Sequence, residues 1–524
     1  MTGSSELETR AVLAEIEPLM RRLLPAELYT HAWFEPTPDC LMQVFQHLRT
    51  LQRVLQDYVP RQVAENPPVS GFSRYEWRQG TLLFTDLAGF TPLMEANAGY
   101  GQKGALALLQ VLNHYFSAMI EIIGKSAGDL LEFTGDAMLV QFLEDAQGDD
   151  TAQAVRAGLR MQRAMEPFQQ IETPQGIFSL AMRVGIHRGA YLAADLGTPR
   201  RMAHILLGQT VQRAKLAEGM GVVGRVCVTQ SVGDRLQAQF RLETPHAQTE
   251  TDTYCHIQDD LTAEGLGEYD ISVNRRRLTT PLLMDRSSLG IIQEIRDALR
   301  RVQLLACYLP DPILNTLVEA VSERQVAPDF PLPTVVFVNL TGFPESVDSA
   351  TPDEVAHMTQ SFSQIFSLID ASVQVQGGVL QKVTYQAVGS DILIYLGAFS
   401  GHRDDAIRAG NLAIAVRDLI AQVERPTVNG IAVDLSCRVG IASGAVFAAE
   451  MGEPRGRREF NILGDPVNTA ARLMARAQAG EILMTEAVYE AIAPRFRCRS
   501  LGDIALKGKT HLARIFALET ALKP

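Results

Sequence analysis

An internal repeat constrains the fold of this chain more than any other feature of its sequence. Four segments of the first half recur in the second half in the same order, with an offset that drifts by only a few residues. The pairs are LLFTDLAGF (82–90) with VVFVNLTGF (335–343), AVRAG (154–158) with AIRAG (406–410), RVGIHRGA (183–190) with RVGIASGA (438–445), and LLGQTVQRAKL (206–216) with ILGDPVNTAARL (462–473). Such a set predicts one domain present twice.

Each copy has the same coarse pattern of elements. A short apolar strand (Thr81 to Asp86; Thr334 to Asn339) breaks at a Gly-Phe turn, and a helix of about two dozen residues is expected after it. A hairpin, a helix rich in Ala, Arg and Leu, a strand ending in RVGI and a last helix after Gly-x-x-Val follow. This order predicts an α+β fold with an antiparallel-rich sheet covered by helices.

The repeat and the segments between its copies divide the chain into four parts. We expect a helical segment over 1–75, a first domain over 76–260, a helical linker over 261–329 and a second domain over 330–524. The two helical parts resemble each other, since DYVPRQV (57–63) is echoed by CYLPDPI (307–313). A packing role is favoured for both over a sensory role.

Composition limits the binding partners and the cellular compartment that are expected for this chain. A net charge of −12 argues against non-specific binding to nucleic acid or to an anionic membrane, which need a basic surface. No apolar stretch approaches the ~18 residues of a membrane span, and the N-terminus has no signal-peptide pattern. The 6 cysteines lie far apart, as is typical of reduced thiols. We therefore expect a soluble, cytoplasmic protein.

Two carboxylates of the first copy follow strand ends. Asp86 precedes Leu-Ala-Gly-Phe-Thr, and Asp136 lies in the turn Thr-Gly-Asp-Ala. Carboxylates that converge at adjacent strand ends can hold hard divalent cations, which in turn bridge substrate phosphates. The helix expected after Asp86 offers free N–H groups to a phosphate. The alternative is that Asp86 caps this helix and Asp136 makes a turn; the pairing and the repeat favour the metal site.

FTDLAGFT, followed about fifty residues later by FTGDAM, resembles the metal-binding signature of class III adenylyl and guanylyl cyclases. The paired copies look most like the soluble, tandem-domain adenylyl cyclases. The resemblance implies two domains that meet head to tail, with active sites at their interface. It also implies two Mg²⁺ or Mn²⁺ ions on Asp86, Leu87 and Asp136, and substrate contacts from Phe90 and Thr91.

The second copy lacks the metal carboxylates and has the residues that the first copy lacks. Asn339 and Ser390 stand where Asp86 and Asp136 stand, and an amide and a hydroxyl cannot hold two divalent cations. Asn468 and Arg472, at positions i and i+4, share one face of the helix after Gly464. By resemblance, Asn468 orients the ribose and Arg472 neutralises charge on the reacting phosphate. The first copy has Gln212 and Leu216 there.

The family's ATP-using members carry a Lys on the hairpin and an Asp or Thr seven residues before the helix Asn. Lys382 and Asn461 match these two positions, and we also expect Ile462 to contact the substrate. An alternative register puts Gln386 opposite Glu132, and an Asn can also donate to guanine O6. Lys507 is similar to the family's lysine for the terminal phosphates.

The other interface pocket is expected to be vacant or regulatory. It would draw on Glu132 and Lys215 and take a regulatory small molecule, although an acidic Glu132 would repel bicarbonate.

The resemblance thus implies an adenylate cyclase that converts ATP to cyclic AMP at one composite site. A guanylate cyclase and a non-catalytic nucleotide-binding module remain the alternatives. The oligomeric state is left open.

Overall fold

The computed structural model describes residues 2–522 apart from 70, 145–147, 244, 246, 250–251, 268, 270–286, 322–325, 454–455 and 507–511. Four helices precede the first sheet: α1 (Thr2–Leu23), α2 (Ala26–Phe34), α3 (Pro38–Asp57) and α4 (Arg61–Glu65). Two more lie between the copies: α10 (Ser288–Ala306) and α11 (Asp311–Glu319). Helix α10 packs on α1 and α3 around one apolar cluster that includes Leu48, Leu51 and Ile295. The two helical segments therefore form a single bundle.

The first domain consists of β1 (Arg74–Ala88), α5 (Phe90–Ala98), α6 (Gly101–Lys125), β2 (Asp129–Thr134), β3 (Ala137–Leu143), α7 (Asp150–Arg163), β4 (Ile171–Thr173), β5 (Gly176–Phe178), β6 (Ala181–Gly197), β7 (Met202–Leu207), α8 (Gln209–Met220), β8 (Val226–Thr229), α9 (Gln230–Leu236), β9 (Ala247–Gln248) and β10 (Thr253–Ile257). The sheet order is β2-β3-β1-β6-β8-β10-β9, with β7 paired to β6. Among the described residues of this sheet only β6 and β8 pair in parallel, so the antiparallel-rich α+β prediction is confirmed.

The second domain repeats this order: β11 (Thr334–Thr341), α12 (Phe343–Ser346), α13 (Pro352–Val375), β12 (Val379–Tyr385), β13 (Ser390–Leu396), α14 (Asp405–Gln422), β14 (Thr427–Val428), β15 (Ile431–Ala432), β16 (Ser436–Ser443), β17 (Phe447–Gly452), β18 (Arg458–Leu463), α15 (Asp465–Arg476), β19 (Ile482–Thr485), α16 (Glu486–Ile492), β20 (Phe496–Ile504) and β21 (Ala513–Ala521). Its main sheet runs β12-β13-β11-β16-β19-β21-β20.

Each copy has one more helix than its sequence pattern predicts. The pattern predicts the helix after Gly-x-x-Val as the last one, but α9 and α16 follow it. These helices have only seven residues each, so their apolar periodicity is too short to stand out. The first strand is also longer than expected, since β1 begins at Arg74 and continues to Ala88.

Each domain extends a two-stranded arm into the other domain. The arm β17–β18 places Phe447, Met451 and Leu463 in the apolar core of the first domain, where β17 packs on α6. The end of β6 and β7 place Leu192 and Ile205 in the core of the second, where β6 packs on α13. Because each core contains side chains of both domains, the interface is fixed by the same apolar burial that folds the sheets.

Helix α6 is the one helix within the described residues that is long and apolar enough to cross a membrane. Half of its most apolar window is buried inside the protein, and Leu108, Leu112 and Phe116 belong to the core of the first domain. We interpret it as a core helix.

Candidate active site

Asp86 and Asp136 meet at one edge of the first sheet. Strand β1 runs antiparallel to β3, and the Thr85 hydroxyl accepts a hydrogen bond of 3.0 Å from the Met138 backbone N–H. This pairing places Asp86 beside the β2–β3 turn that carries Asp136. Gly135 forms that turn with a positive φ of 72°, which a residue with a side chain rarely adopts.

The two carboxylates influence each other electrostatically. Enclosure by the protein and then the negative charge of Asp86 raise the pKa of Asp136 to about 7. Asp86 has a side chain that is 30% exposed and forms an ion pair with Arg183, its cross-strand neighbour. Arg183 also lies 3.2 Å from Glu218. A partly enclosed pair of like charges is stabilised by a bound cation, because the cation removes the repulsion between them.

This donor set fits hard divalent cations. Asp86 and Asp136 offer oxygen ligands, which Mg²⁺ and Mn²⁺ prefer. The Leu87 side chain is buried, so only its backbone carbonyl could serve as a ligand. Within the described residues no group of three or more His, Cys, Asp or Glu side chains is arranged to hold a metal ion, so phosphate oxygens of a bound substrate would complete the coordination.

The loop after Asp86 turns directly into helix α5. Gly89 has a φ of 91°, and a Cβ atom there would collide with the Ser179 carbonyl oxygen, so the tight turn requires glycine. Phe90 is buried as the first helical residue, and Thr91 is partly exposed beside it. The N–H groups of this first turn face the same end of the sheet as the carboxylates, which suits a phosphate.

The second domain brings helix α15 to this edge. A Cβ atom on Gly464, just before α15, would lie 3.3 Å from Met94 Sδ of α5. A Cβ atom on Gly135 would lie 3.4 Å from Leu463 Cδ2, one residue earlier. The start of α15 is therefore adjacent to the turn that carries Asp136 and to the helix that follows Asp86.

Asn468 and Arg472 lie on the uncovered face of α15. The residues on the covered face are Pro466, Thr469, Ala470, Leu473 and Met474. Asn468 is exposed and Arg472 is half-buried. A helix repeats every 3.6 residues, so burying these five positions leaves 468 and 472 together on the opposite side. Both polar side chains are thus available to a ligand at this edge.

Lys382 and Asn461 are in direct contact. The Lys382 ammonium donates to Asn461 Oδ1 at 2.7 Å and also contacts Glu459 and the Phe133 carbonyl of the first domain. Ile462 follows on β18, but successive strand residues face opposite sides, and its side chain is buried in the apolar cluster with the helical bundle. Any contact between Ile462 and a substrate would come from its backbone.

The hairpin register decides between Lys382 and Gln386. Lys382 pairs with Leu393 directly after a β-bulge, as Glu132 pairs with Leu139 after the same bulge in the first domain. Lys382 is therefore the residue equivalent to Glu132, and the alternative register with Gln386 is wrong. The two hairpins align only with a gap, because the loop between β12 and β13 is longer than the loop between β2 and β3.

Glu132 and Lys215, which are expected to line a second interface pocket, lie in different surroundings. Glu132 is buried and lies 3.9 Å from Lys382, so it borders the pair formed by Lys382 and Asn461. Lys215 instead forms an ion pair of 2.8 Å with Glu218. Both residues face the domain interface, but no contact joins them within the described part of the chain.

Two further residues belong to the site. Arg183 stands in the repeated RVGI segment directly across from Asp86, and Glu459 lies two residues before Asn461 on the same strand face. Strand alternation in the sequence could have identified Glu459, whereas the position of Arg183 needs the register. Lys507, expected near the terminal phosphates, falls outside the described residues.

The fold and the edge site together define a tandem-domain class III nucleotidyl cyclase architecture. Residues 73–252 and 327–519 match the family described as adenylate and guanylate cyclase catalytic domain, and the chain belongs to this family. The chain is 26% identical to human adenylate cyclase type 10 over 431 residues, covering 76% of this chain and 24% of that protein. It is 30% identical to an adenylate cyclase of Mycobacterium tuberculosis over 212 residues, covering 40% of this chain and 44% of the relative.

One solved structure matches almost the whole arrangement. It is a class III adenylyl cyclase-like ATP-binding protein from Pseudomonas aeruginosa, with a TM-score of 0.54 and 13% identity, covering 86% of this chain and 93% of that one. At this identity the match supports the fold alone. The chain spans about a quarter of the length of the adenylate cyclase type 10 relatives.

Proposed function

We propose that this chain is an adenylate cyclase that converts ATP to 3′,5′-cyclic AMP and pyrophosphate at one composite site between its two domains. The observation that carries the proposal is the meeting of complementary residues. Asp86 and Asp136 stand at one edge of the first domain, and the helix with Asn468 and Arg472 begins beside that edge. Adenylate cyclase relatives from mammals and mycobacteria support the choice of reaction.

The proposed chemistry is an in-line displacement at the α-phosphorus by the ribose 3′-oxygen. Two divalent ions, Mg²⁺ or Mn²⁺, would be held by Asp86, Asp136 and the Leu87 carbonyl; when bound, they acidify the 3′-hydroxyl and neutralise the triphosphate. Asn468 orients the ribose. Arg472 faces the charge that grows on the α-phosphate during the reaction, which is where a cation accelerates it.

The pair Lys382 and Asn461 is proposed to read adenine. Lys382 donates to the ring N1, and the Asn461 carbonyl oxygen accepts from the exocyclic amino group. Guanine would present an N–H to the lysine, donor against donor, and buried polar groups without partners carry a free-energy cost. The observed 2.7 Å contact between the two side chains supports a shared role.

Only one such site is proposed per chain, because protein groups fill the equivalent position on the other side. Glu345 accepts hydrogen bonds from the Gly342 and Gly389 backbone N–H groups at 2.8 and 2.6 Å and from Gln212 at 3.1 Å. Asp348 accepts from the first N–H of helix α8 at 2.7 Å. Carboxylates in this position repel a triphosphate.

A cytoplasmic location is part of the proposal. All 6 cysteines are free thiols, as expected in a reducing compartment.

The direct test is turnover of ATP against GTP by the purified chain with Mg²⁺ and with Mn²⁺, the product being identified by mass spectrometry. Cyclic AMP as the main product supports the proposal. Cyclic GMP as the main product would establish a guanylate cyclase. ATP binding without a cyclic product would establish a non-catalytic nucleotide-binding module.

A further inference from the structure

The ammonium group of Lys382 is enclosed and fully engaged. Its side chain is 11% exposed, and Nζ contacts three acceptors: the Phe133 carbonyl, the Glu459 carboxylate and Asn461 Oδ1. An ammonium group has three N–H donors, so these contacts use all of them. Reading a base therefore requires Lys382 to exchange one partner.

A charge in such surroundings needs a counter-charge, because burial removes the water that would stabilise it. Asn461 is a neutral amide and Phe133 offers only a backbone carbonyl, so neither can supply it. Glu459 can, since its carboxylate bonds Nζ directly. Glu132 is 3.9 Å away, and burial raises its pKa even against the charge of Lys382. Glu459 is thus the primary anion beside this lysine.

The position of Glu459 is itself fixed. Arg457 Nη2 lies 3.7 Å from its Oε2 atom, and the Phe133 backbone N–H lies 3.5 Å from the same oxygen. Glu459 and Asn461 are two residues apart on β18, so both side chains point to the face where Lys382 arrives. The charged groups packed around the ammonium are therefore Glu459, Glu132 and Arg457.

The corresponding place in the first domain has no such group. Counting back from Gly208 as from Gly464, Ala203 and Ile205 stand where Glu459 and Asn461 stand. The equivalent of Lys382 is the acidic Glu132. The lysine, its counter-charge and the amide occur together once, on the side of the metal carboxylates.

We propose that Glu459 is a positioning residue that determines base specificity. Its carboxylate supplies the negative charge that Asn461 lacks and holds the Lys382 ammonium against the Asn461 carbonyl, where adenine is read. When a purine binds, Lys382 releases the Phe133 carbonyl and donates to the ring nitrogen, while Glu459 and Asn461 keep their contacts. This inference rests on the proposed function, since it assigns a residue to the same nucleotide site.

The test is the substitution Glu459→Gln, which keeps the size of the side chain and removes its charge. A hydrogen bond to a charged group contributes enough to affinity that we expect KM for ATP to rise about 10-fold, with kcat within about 2-fold. The ratio of kcat/KM for ATP to that for GTP should fall by a similar factor. Glu459→Asp, which keeps the charge, should restore most of the ATP preference.

Glu453→Gln is the matched control. Glu453 also belongs to the β17–β18 arm and contacts Ser117 of the first domain, but it does not touch Lys382. It should leave KM and the base preference unchanged. Equal KM values and base ratios in Glu459→Gln and wild type would overturn the proposal. So would Glu459→Asp behaving like Glu459→Gln, or Glu453→Gln producing the same change.

Measurements of ATP binding distinguish a failure of the Glu459 role from a failure of the proposed function. If wild type makes no cyclic nucleotide, the proposed function fails, and titration calorimetry with ATP still decides the role of Glu459. Weaker ATP binding in Glu459→Gln than in Glu453→Gln supports it, and equal binding overturns it.

Discussion

The two domains use one fold to surround two different polar clusters at the same sheet edge. In the first domain Asp86 is partly exposed and its neighbour Asp136 has a pKa raised to about 7. In the second domain Asn339 is buried; its amide donates to Asp391 at 2.8 Å and to the Val388 carbonyl at 2.9 Å, and its oxygen accepts from Arg438 at 2.7 Å.

The change from Asp to Asn alters the chemistry of the edge more than its shape. Arg438 pairs with Asn339 as Arg183 pairs with Asp86, so the register is the same. An amide, however, donates as well as accepts and can satisfy itself within the protein. Two neighbouring carboxylates cannot satisfy each other while both are ionised, because both then only accept. The first cluster therefore attracts cations, whereas Asn339 of the second is held by hydrogen bonds within the protein.

The largest expected effect comes from removing either carboxylate of the first cluster. Asp86→Ala or Asp136→Ala should lower kcat for cyclic AMP formation by about 10³-fold, since each removes a metal ligand. Stability should change little, because the removed group is partly exposed and repelled by its neighbour. Activity assays at saturating Mg²⁺ and thermal unfolding check both points. Near-normal activity in either variant would exclude the metal assignment.

A slightly smaller loss of kcat is expected from a substitution on helix α15. Arg472→Ala should lower kcat by about 10²-fold with little change in KM, because the side chain acts on charge that develops in the transition state. Gln212→Ala, at the equivalent place of Asn468 on helix α8, is the control and should keep full activity. If Gln212→Ala were as damaging as Arg472→Ala, both sides of the interface would be active.

Substitution of the proposed base-contacting lysine should have a more modest effect, and on base selection. Lys382→Glu should reduce the preference for ATP over GTP by about 10-fold, since a carboxylate accepts from guanine N1–H. Gln386 lies in the longer hairpin loop, so Gln386→Glu should leave the preference unchanged. Competition assays with both nucleotides measure the ratio. The opposite pattern would place Gln386 at the base.

The smallest effect on catalysis is expected from substitutions in the polar cluster around Asn339 in the second domain. Asn339→Ala should lower the free energy of unfolding by about 2 kcal/mol, because it leaves the buried Asp391 and the half-buried Arg438 without the amide that both contact. At a temperature where the variant is folded, kcat should stay within about 2-fold of wild type. Urea unfolding and a cyclase assay check this. A large catalytic loss without destabilisation would mean that the second cluster takes part in the reaction.

The internal repeat made much of the fold and of the candidate site predictable from the sequence. Matching LLFTDLAGF to VVFVNLTGF was enough to align Asp86 with Asn339, and strand alternation with helix spacing placed Asn468 beside Arg472. The sequence could not reveal the unequal hairpin loops, which depend on hydrogen-bond register rather than on residue pattern. It also could not reveal the role of Glu345, because its hydrogen bonds to Gly389 and Gln212 join residues that are far apart in the chain.

The central claim is that each chain has one nucleotide site. Titration calorimetry of the full chain with 3′-deoxy-ATP, which lacks the attacking hydroxyl, measures the number of sites directly in the presence of Mg²⁺. We predict one equivalent bound per chain, with binding strongly weakened by Asp136→Ala and unchanged by Gln212→Ala. Two equivalents per chain, or one equivalent that is insensitive to Asp136→Ala, would contradict it.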